Sequence, residues 1–364
     1  MKFSGLSRGL FSIAAFVVFI AGLRAANSII IPFLLACFIA VITSPAMIWL
    51  KKRGVRPGFS ILIILIVVMA ALWGLIQIAG SSITQFAGDA NFYQERLSVI
   101  TADWITWLKE KGLEVDTETF YSLVNPARAV TVVVNTLRQF ITGLLTNTFM
   151  ILITVVFILL ELAGLPNKLQ IALGERHASV PALNRFSESL NRYLAIKSMV
   201  SLATGVCSYI ICTSLGLNYA LLWGLLAFLL NYIPNIGSIV AAAPPVMLAL
   251  VELGTGKALL CAGGYMTINI LFGNFLEPRL MGKGLGLSTL VVWMSLIFWG
   301  WVFGPVGMLL SVPLTMVVKI AMESKEETQW AAVLLGSDPG ETPSEPSPEA
   351  DPSVSSEPSE PTHA

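Results

Sequence analysis

Seven stretches of the chain run without Asp, Glu, Lys or Arg: residues 9–23, 25–50, 57–88, 139–160, 198–251, 258–276 and 284–318. A helix crosses a bilayer core with about 20 mainly apolar residues, so this pattern predicts an all-α polytopic membrane protein. The first four runs each fit one span. The first starts after Lys2 and Arg8, has no small-residue cleavage site and passes through Arg24 into the second, so it is predicted as a retained helix and not a cleaved leader. Arg24 is placed to snorkel to the interface.

The two long runs do not divide into plain spans. Residues 198–216 form one span, closed by Gly216-Leu217-Asn218, and the remaining 219–251 piece is interrupted at 231–237 (N-Y-I-P-N-I-G). Arms of roughly 13–15 residues remain, reaching about 20 Å, short of a core of about 30 Å. The run 285–318 is interrupted in the same way at 300–307 (G-W-V-F-G-P-V-G). The reading is therefore six full transmembrane helices plus two re-entrant or broken hairpins, with eight plain spans as the alternative.

The breaks resemble each other: Pro234-x-x-Gly237 followed by Pro244, and Gly304-Pro305-x-Gly307 followed by Pro313. Each follows a single crossing, which predicts an inverted repeat with a substrate site near the midplane between broken helices. Proline removes an amide donor and glycine allows unusual backbone angles, so both breaks free peptide groups that protein or a wet cavity must satisfy.

Composition agrees, with 55% apolar and 12% charged residues against roughly 25% charged in soluble domains. Net charge is zero, but the seven acids from Asp338 onward meet no Lys or Arg, which leaves residues 1–337 with 22 basic and 15 acidic side chains. That surplus is topological and does not point to a nucleic-acid partner. Lys51, Lys52, Arg53 and Arg56, then Lys168, Arg176, Arg185, Arg192 and Lys197, mark cytoplasmic segments.

The chain then divides into spans one to three (1–88) and an extracytoplasmic amphipathic helix (89–138) with Leu97, Ile100, Trp104, Trp107 and Leu108 at helical spacing. Span four (139–163) leads to a cytoplasmic amphipathic segment (164–197) carrying Leu183, Phe186, Leu190, Tyr193 and Leu194. A transport core (198–318), a cytoplasmic helix end (319–337) and a disordered acidic Pro/Ser tail (338–364) complete it. Both termini are expected in the cytoplasm.

The polar side chains near the breaks are neutral: Asn231, Asn235, Ser238, Asn269 and Asn274, with Thr267 on the intervening span. Glu161 and Glu252 sit at run ends, so no carboxylate is expected at mid-depth to relay protons. Helix-end amides and freed carbonyls suit an uncharged polar solute or a cation. Nothing suggests an enzyme or a cofactor: His177 and His363 are the two histidines, the four cysteines lie in apolar runs without metal spacing, and Gly254-Thr255-Gly256-Lys257 lacks the leading glycine of a phosphate loop. Ala241 to Ala243 allow close helix contact, and a homo-oligomer is expected.

Four motifs in order, N-R-Y-L at 191–194 followed by Lys197, N-Y-I-P-N-I-G at 231–237, G-N-F-L-E-P-R-L-M-G-K at 273–283 and W-G-W-V-F-G-P-V-G-M-L-L-S-V-P-L-T at 299–315, resemble the autoinducer-2 exporter (AI-2E) family of bacterial inner-membrane transporters. The resemblance covers about residues 10–325 and is strongest towards the quorum-signal exporter branch. It implies a secondary exporter of a small polar molecule, autoinducer-2-like, with H⁺ or Na⁺ as a coupling ion. A Na⁺(Li⁺)/H⁺ antiporter and a membrane scaffold without transport are the alternatives. The site residues it implies are Asn231, Pro234, Asn235 and Gly237 at the first break, and the polar pattern adds Asn269 as a candidate. The resemblance adds Gly273, Asn274, Glu277, Pro278 and Arg279 at the connection, and Gly304, Pro305, Gly307 and Pro313 at the second break.

Overall fold

A computed structural model describes residues 5–112, 146–161, 179–281, 286–323 and 326–336, with isolated positions between 131 and 142. The acidic tail, Lys283 and residues 164–178 lie outside the described residues. Every regular element among those described is helical. Helices α1 (Gly5–Ala25), α2 (Asn27–Lys52) and α3 (Pro57–Gly88) follow the first three charge-free runs closely. Gly54, at φ +82°, turns the chain after the basic end of α2, and α3 opens on a proline, the residue type suited to a first helical position.

After Asp89 the chain continues as α4 (Ala90–Glu110). Leu97 and Ile100 pack onto the main core as expected, but Trp104 and Trp107 stay exposed, and Tyr93, Thr101 and Ile105 supply the buried side. Burial here follows the neighbours that α4 meets, so it departs from the apolar stripe. A shorter apolar helix, α5, covers Thr146–Glu161.

Helix α6 (Ser179–Leu215) has 37 residues. It joins the second half of the amphipathic segment to the following span without a break. Charge alone had placed a boundary at 197, whereas residues 182–204 contain neither Gly nor Pro to end a helix. Tyr193 and Leu194 on this stretch are buried against Leu287, Val312 and Met316.

The first break divides α7 (Ala220–Leu230) from α8 (Ile236–Leu253). These two helices fold back on each other. At their open ends the Asn218 Nδ2 donates to Glu252 Oε1 at 2.8 Å. From there α7 runs antiparallel to α6, so closely that a Cβ on Gly205 would lie 2.8 Å from the Gly224 carbonyl oxygen. Further along, Asn231 reaches Ser201 and Tyr232 reaches Ser198.

The hairpin thus extends from the level of Leu215 to that of Ser198, about 26 Å along α6. Its arms are 11 and 18 residues, not the matched 13–15 expected. The difference arises because Gly216 and Tyr219, both at positive φ, delay the start of the first arm, while α8 begins at Ile236, inside the expected break, and absorbs Pro244 and Pro245.

Helix α9 (Thr255–Ile268) returns along α6, widens into a π-helical segment over Asn269–Leu276, and ends in α10 (Glu277–Met281). Glu277 there meets Lys197, so α10 comes back to the end of the span from which α6 set out.

The second hairpin consists of α11 (Thr289–Leu309), interrupted at Gly304, and α12 (Ser311–Glu323). Ser288 caps α11 by accepting from the Val291 amide at 3.2 Å. The arms are held by Trp299 Nε1 donating to Thr315 Oγ1 at 3.0 Å and by Lys319 Nζ donating to the Gly286 carbonyl at 2.5 Å. A 3₁₀ turn (Glu326–Thr328) and α13 (Gln329–Leu334) then close over the open end, where the Ser288 amide donates to the Leu335 carbonyl at 3.1 Å.

Among the described residues six helices are long and apolar enough to cross a membrane: Asn27–Lys52, Gly58–Gly88, Glu188–Leu215, Ile236–Leu253, Thr255–Met281 and Thr289–Leu309. This is a polytopic membrane protein. The set differs from the expected six, since Ile236–Leu253 of the first hairpin and Thr289–Leu309, which crosses the break of the second, qualify whereas Ile13–Ala25 and Thr146–Glu161 are shorter.

Candidate functional site

The backbone at the first break is held by one glycine. Helical bonding fades through Asn231 and Ile233, whose amides donate to Ala227 and Leu230 at 3.0 and 2.9 Å, and Pro234 has no amide to give. Asn235 turns the chain at φ +60°. Gly237 then passes beneath the end of α7, where a Cβ would lie 1.8 Å from the Leu230 carbonyl oxygen. The second break repeats the device. Gly304 turns at φ +65°, and a Cβ on Gly307 would lie 1.9 Å from the Trp299 carbonyl oxygen.

Around the first break the surroundings are polar. Ser201, Thr204 and Ser208 recur at helical spacing on α6 and are all buried. Asn231, 6% exposed, donates through Nδ2 to Ser201 Oγ at 3.0 Å, while Ser238 Oγ donates to Asn231 Oδ1 at 3.3 Å. The Tyr232 hydroxyl donates to Ser198 Oγ at 2.8 Å.

A narrow cleft, open to about one water in this conformation, lies between α6, the hairpin and α9, lined by Thr204, Ala227, Ser238, Ala241, Tyr265 and Asn269. Asn269 also opens the π-helical segment, a widening that recurs at functional sites. No charged side chain lines the cleft.

The sequence-predicted residues separate into four groups, with Gly273 apart from them on the π-helical segment. Asn231, Gly237 and Asn269 converge on this region, with Pro234 shaping the turn. Asn235, Asn274, Pro278 and Arg279 face outward, and Arg279 lies over the Phe275 ring at 6.0 Å. Glu277 pairs with Lys197 at 2.7 and 2.9 Å, and Lys197 is only 4% exposed.

Gly304, Pro305, Gly307 and Pro313 belong to the second hairpin. Its break packs through Val302 and Phe303 against Ile20 of α1 and against Ile30 and Leu34 of α2. Asn27 Nδ2 donates at 2.9 Å to the Val302 carbonyl beside that break. The two breaks meet α2 at different heights. Helix α2 touches the first break through Phe38, edge-on to Tyr232 at 5.5 Å, and the second through Asn27. These positions are about 16 Å apart along its axis.

Sequence reasoning missed Ser201, Thr204 and Asn27, and it read Lys197 as a topological charge and as the lysine that follows the N-R-Y-L motif, not as a partner of Glu277. The available signal was S-x-x-T-x-x-x-S at 201–208, hydroxyls on one helix face inside a charge-free run.

The open end of the first hairpin is tied to α3 and α4. The Tyr93 hydroxyl donates to Glu252 Oε1 at 2.9 Å, and the Tyr219 hydroxyl donates to Asp89 Oδ2 at 2.5 Å. Burial, then the bond to Asp89, pushes the Tyr219 hydroxyl up to about 12. Burial and the neighbouring Tyr219 and Glu252 push Tyr93 above its ordinary value as well.

Residues 13–327 match the model of the AI-2E family transporters. The chain is 41% identical over 319 residues to the AI-2 transport protein TqsA of Escherichia coli (strain K12), covering 88% of this chain and 92% of that protein. It is 39% identical over 342 residues to a putative transport protein of Haemophilus influenzae, covering 91% and 97%. It is 36% identical over 327 residues to the putative transport protein YhhT of Escherichia coli (strain K12), covering 90% and 93%. With matches of this extent and an all-helical, multi-pass architecture, the chain belongs to the AI-2E family of transporters.

Proposed function

We propose that the chain exports a small, uncharged polar solute, autoinducer-2-like, across the bacterial inner membrane, and that the cleft beside the first break holds that solute. The observation that carries the reading is an uncharged cleft, with Thr204, Ser238 and Asn269 among its walls, between a broken hairpin and a π-helical segment, within the charge-free stretches 198–251 and 258–276. Binding sites of secondary transporters are built from such discontinuous helices. The similarity to a protein named as an AI-2 transport protein supports the choice of solute.

In this reading the two hairpins are re-entrant and enter from opposite faces, as an inverted repeat. The first opens outward at Asn218 and Glu252. The second opens to the cytoplasm at Gly286 and Lys319, in keeping with the inward bias of basic residues. Lys197 and Arg279 then share the cytoplasmic side, as do both termini. A coupling ion, H⁺ or Na⁺, and assembly into a homo-oligomer complete the proposal. The antiporter and scaffold readings gain no support from the named relatives.

Efflux of radiolabelled autoinducer-2 from proteoliposomes tests the proposal. Loss of label faster than from protein-free liposomes is expected. Equal rates would remove the assignment.

A further inference from the structure

Hydroxyls inside apolar helices are commonly spent on their own backbone. Thr43, Thr154 and Thr267 do this, donating to the carbonyl four residues back at 2.8, 2.7 and 2.8 Å, and Ser198 does the same at 2.7 Å. Thr204 does not. It is 5% exposed, and its Oγ1 has no hydrogen-bond partner. It is also a wall of the cleft. An unmet buried hydroxyl is costly, and an apolar side chain of the same shape avoids that cost, so folding alone gives no reason for threonine here.

The groups facing Thr204 across the cleft define what could meet it. Ser238 gives its proton to Asn231, which leaves its oxygen free to accept. Asn269 offers an amide donor and a carbonyl acceptor, while the hydroxyl of Tyr265, also on the wall, is engaged with Cys212 Sγ at 3.6 Å. All are neutral. Lys197 and Glu277, an ion pair near the tip of the same hairpin, are spent on each other. An anion entering this cleft would shed its water with no cation to replace it, whereas a neutral molecule with neighbouring hydroxyl and carbonyl oxygens finds both donors and acceptors.

We infer that Thr204 is a specificity-determining hydrogen-bond partner for the carried solute, and that the cleft admits the neutral solute and not its anionic esters. This rests on the transport reading above and deepens it. Because the cleft admits about one water as it stands, the hairpin must move away from α6 for the solute to reach Thr204.

The test is transport by the full chain in proteoliposomes, with autoinducer-2 and its phosphate ester as probes, alongside thermal melting in detergent. Thr204→Val is expected to raise the half-saturation concentration for autoinducer-2 about tenfold, the loss of roughly one hydrogen bond, while the melting temperature holds or rises. Thr204→Ser should restore transport, and the wild type should carry the phosphate ester at less than about a tenth of the rate.

Wild-type half-saturation in T204V overturns the inference, as does failure of T204S to rescue or equal transport of the ester. A T204V protein that melts well below the wild type also overturns it, because the hydroxyl would then be structural. A wild-type protein that moves no autoinducer-2 at all overturns the transport reading and this inference with it.

Discussion

The two hairpins use one backbone device in opposite surroundings. Gly237 and Gly307 each pass beneath the carbonyl of the preceding arm at a distance no Cβ allows, and each is preceded by a residue at positive φ. Around the first, α6 presents Ser198 and Ser201 to Tyr232 and Asn231. Around the second, Ile20, Val302 and Phe303 form an apolar plug, with Asn27 satisfying a single freed carbonyl. A break in a membrane helix is therefore not itself a binding site. The side chains that neighbouring helices turn towards it decide whether its surroundings are polar or pack like ordinary core.

The shared device sets the largest expected effect. Gly237→Ala and Gly307→Ala each force a Cβ into a backbone oxygen that cannot move alone, at a cost of about 3 kcal/mol or more. Both variants should lose most of the folded protein recovered from membranes, read as the monodisperse fraction in size-exclusion chromatography. If one were tolerated, the two turns would not be equivalent. For the same reason such glycine variants cannot probe transport alone.

Two lysines give the next contrast. Lys197 is buried against Glu277, whereas Lys319 bonds to the Gly286 carbonyl and approaches Glu323 at 3.5 Å with more exposure. Lys197→Met strands a half-buried carboxylate and should cost about 3 kcal/mol, with most of it returned in K197M/E277L. Lys319→Met should cost about 1 kcal/mol. Melting curves of the three variants check both numbers, and equal losses would contradict the difference in burial.

Asparagines at the two breaks then separate site from scaffold. Asn231→Leu removes bonds to Ser201 and Ser238 and leaves both hydroxyls facing an apolar group, so a loss of about 2 kcal/mol and a strong fall in autoinducer-2 efflux are expected. Asn27→Leu frees only the Val302 carbonyl. It should cost about 1 kcal/mol and leave efflux close to wild type after correction for folded protein. Comparable transport defects in both would mean that the second break also handles solute.

Much of this architecture is legible in the sequence because membranes enforce it. Runs without charge give the spans, and a run too long for two crossings but broken at Pro234 and Gly237 announces a hairpin. The depth of that hairpin is not legible. It depends on Gly205 and Gly224 letting α7 slide close along α6, a contact between residues 19 apart that no local pattern encodes. The site is legible only in part. Prolines and glycines draw attention to the turn, yet Thr204 lies on a regular helix and lines the cleft only because of what the turn brings opposite it. Lys197 and Glu277 are 80 residues apart, so one looks like a topological charge and the other like a site residue until the fold makes them a pair.

The smallest expected effect concerns the open ends of the hairpins. The first is tied by phenol-to-carboxylate bonds, Tyr93 to Glu252 and Tyr219 to Asp89, while the second is tied by Lys319 to a carbonyl. An ordinary tyrosine titrates near about 10, and Tyr219 is held up to about 12 in the fold. Because the folded value is raised, the neutral phenol contributes stability in full below the unfolded value. That contribution is lost as pH climbs from about 10 through 12.

Tyr93 shifts in the same direction and adds to the effect. The melting temperature should therefore fall across this window more steeply in the wild type than in Y93F/Y219F, which starts lower and has no phenol to ionise at these positions. Amide exchange should loosen first near Asn218 and Glu252, before it does near Gly286. Parallel pH curves for wild type and double variant would show that these phenols do not tie the hairpin down, and the contrast between the two open ends would lose its chemical basis.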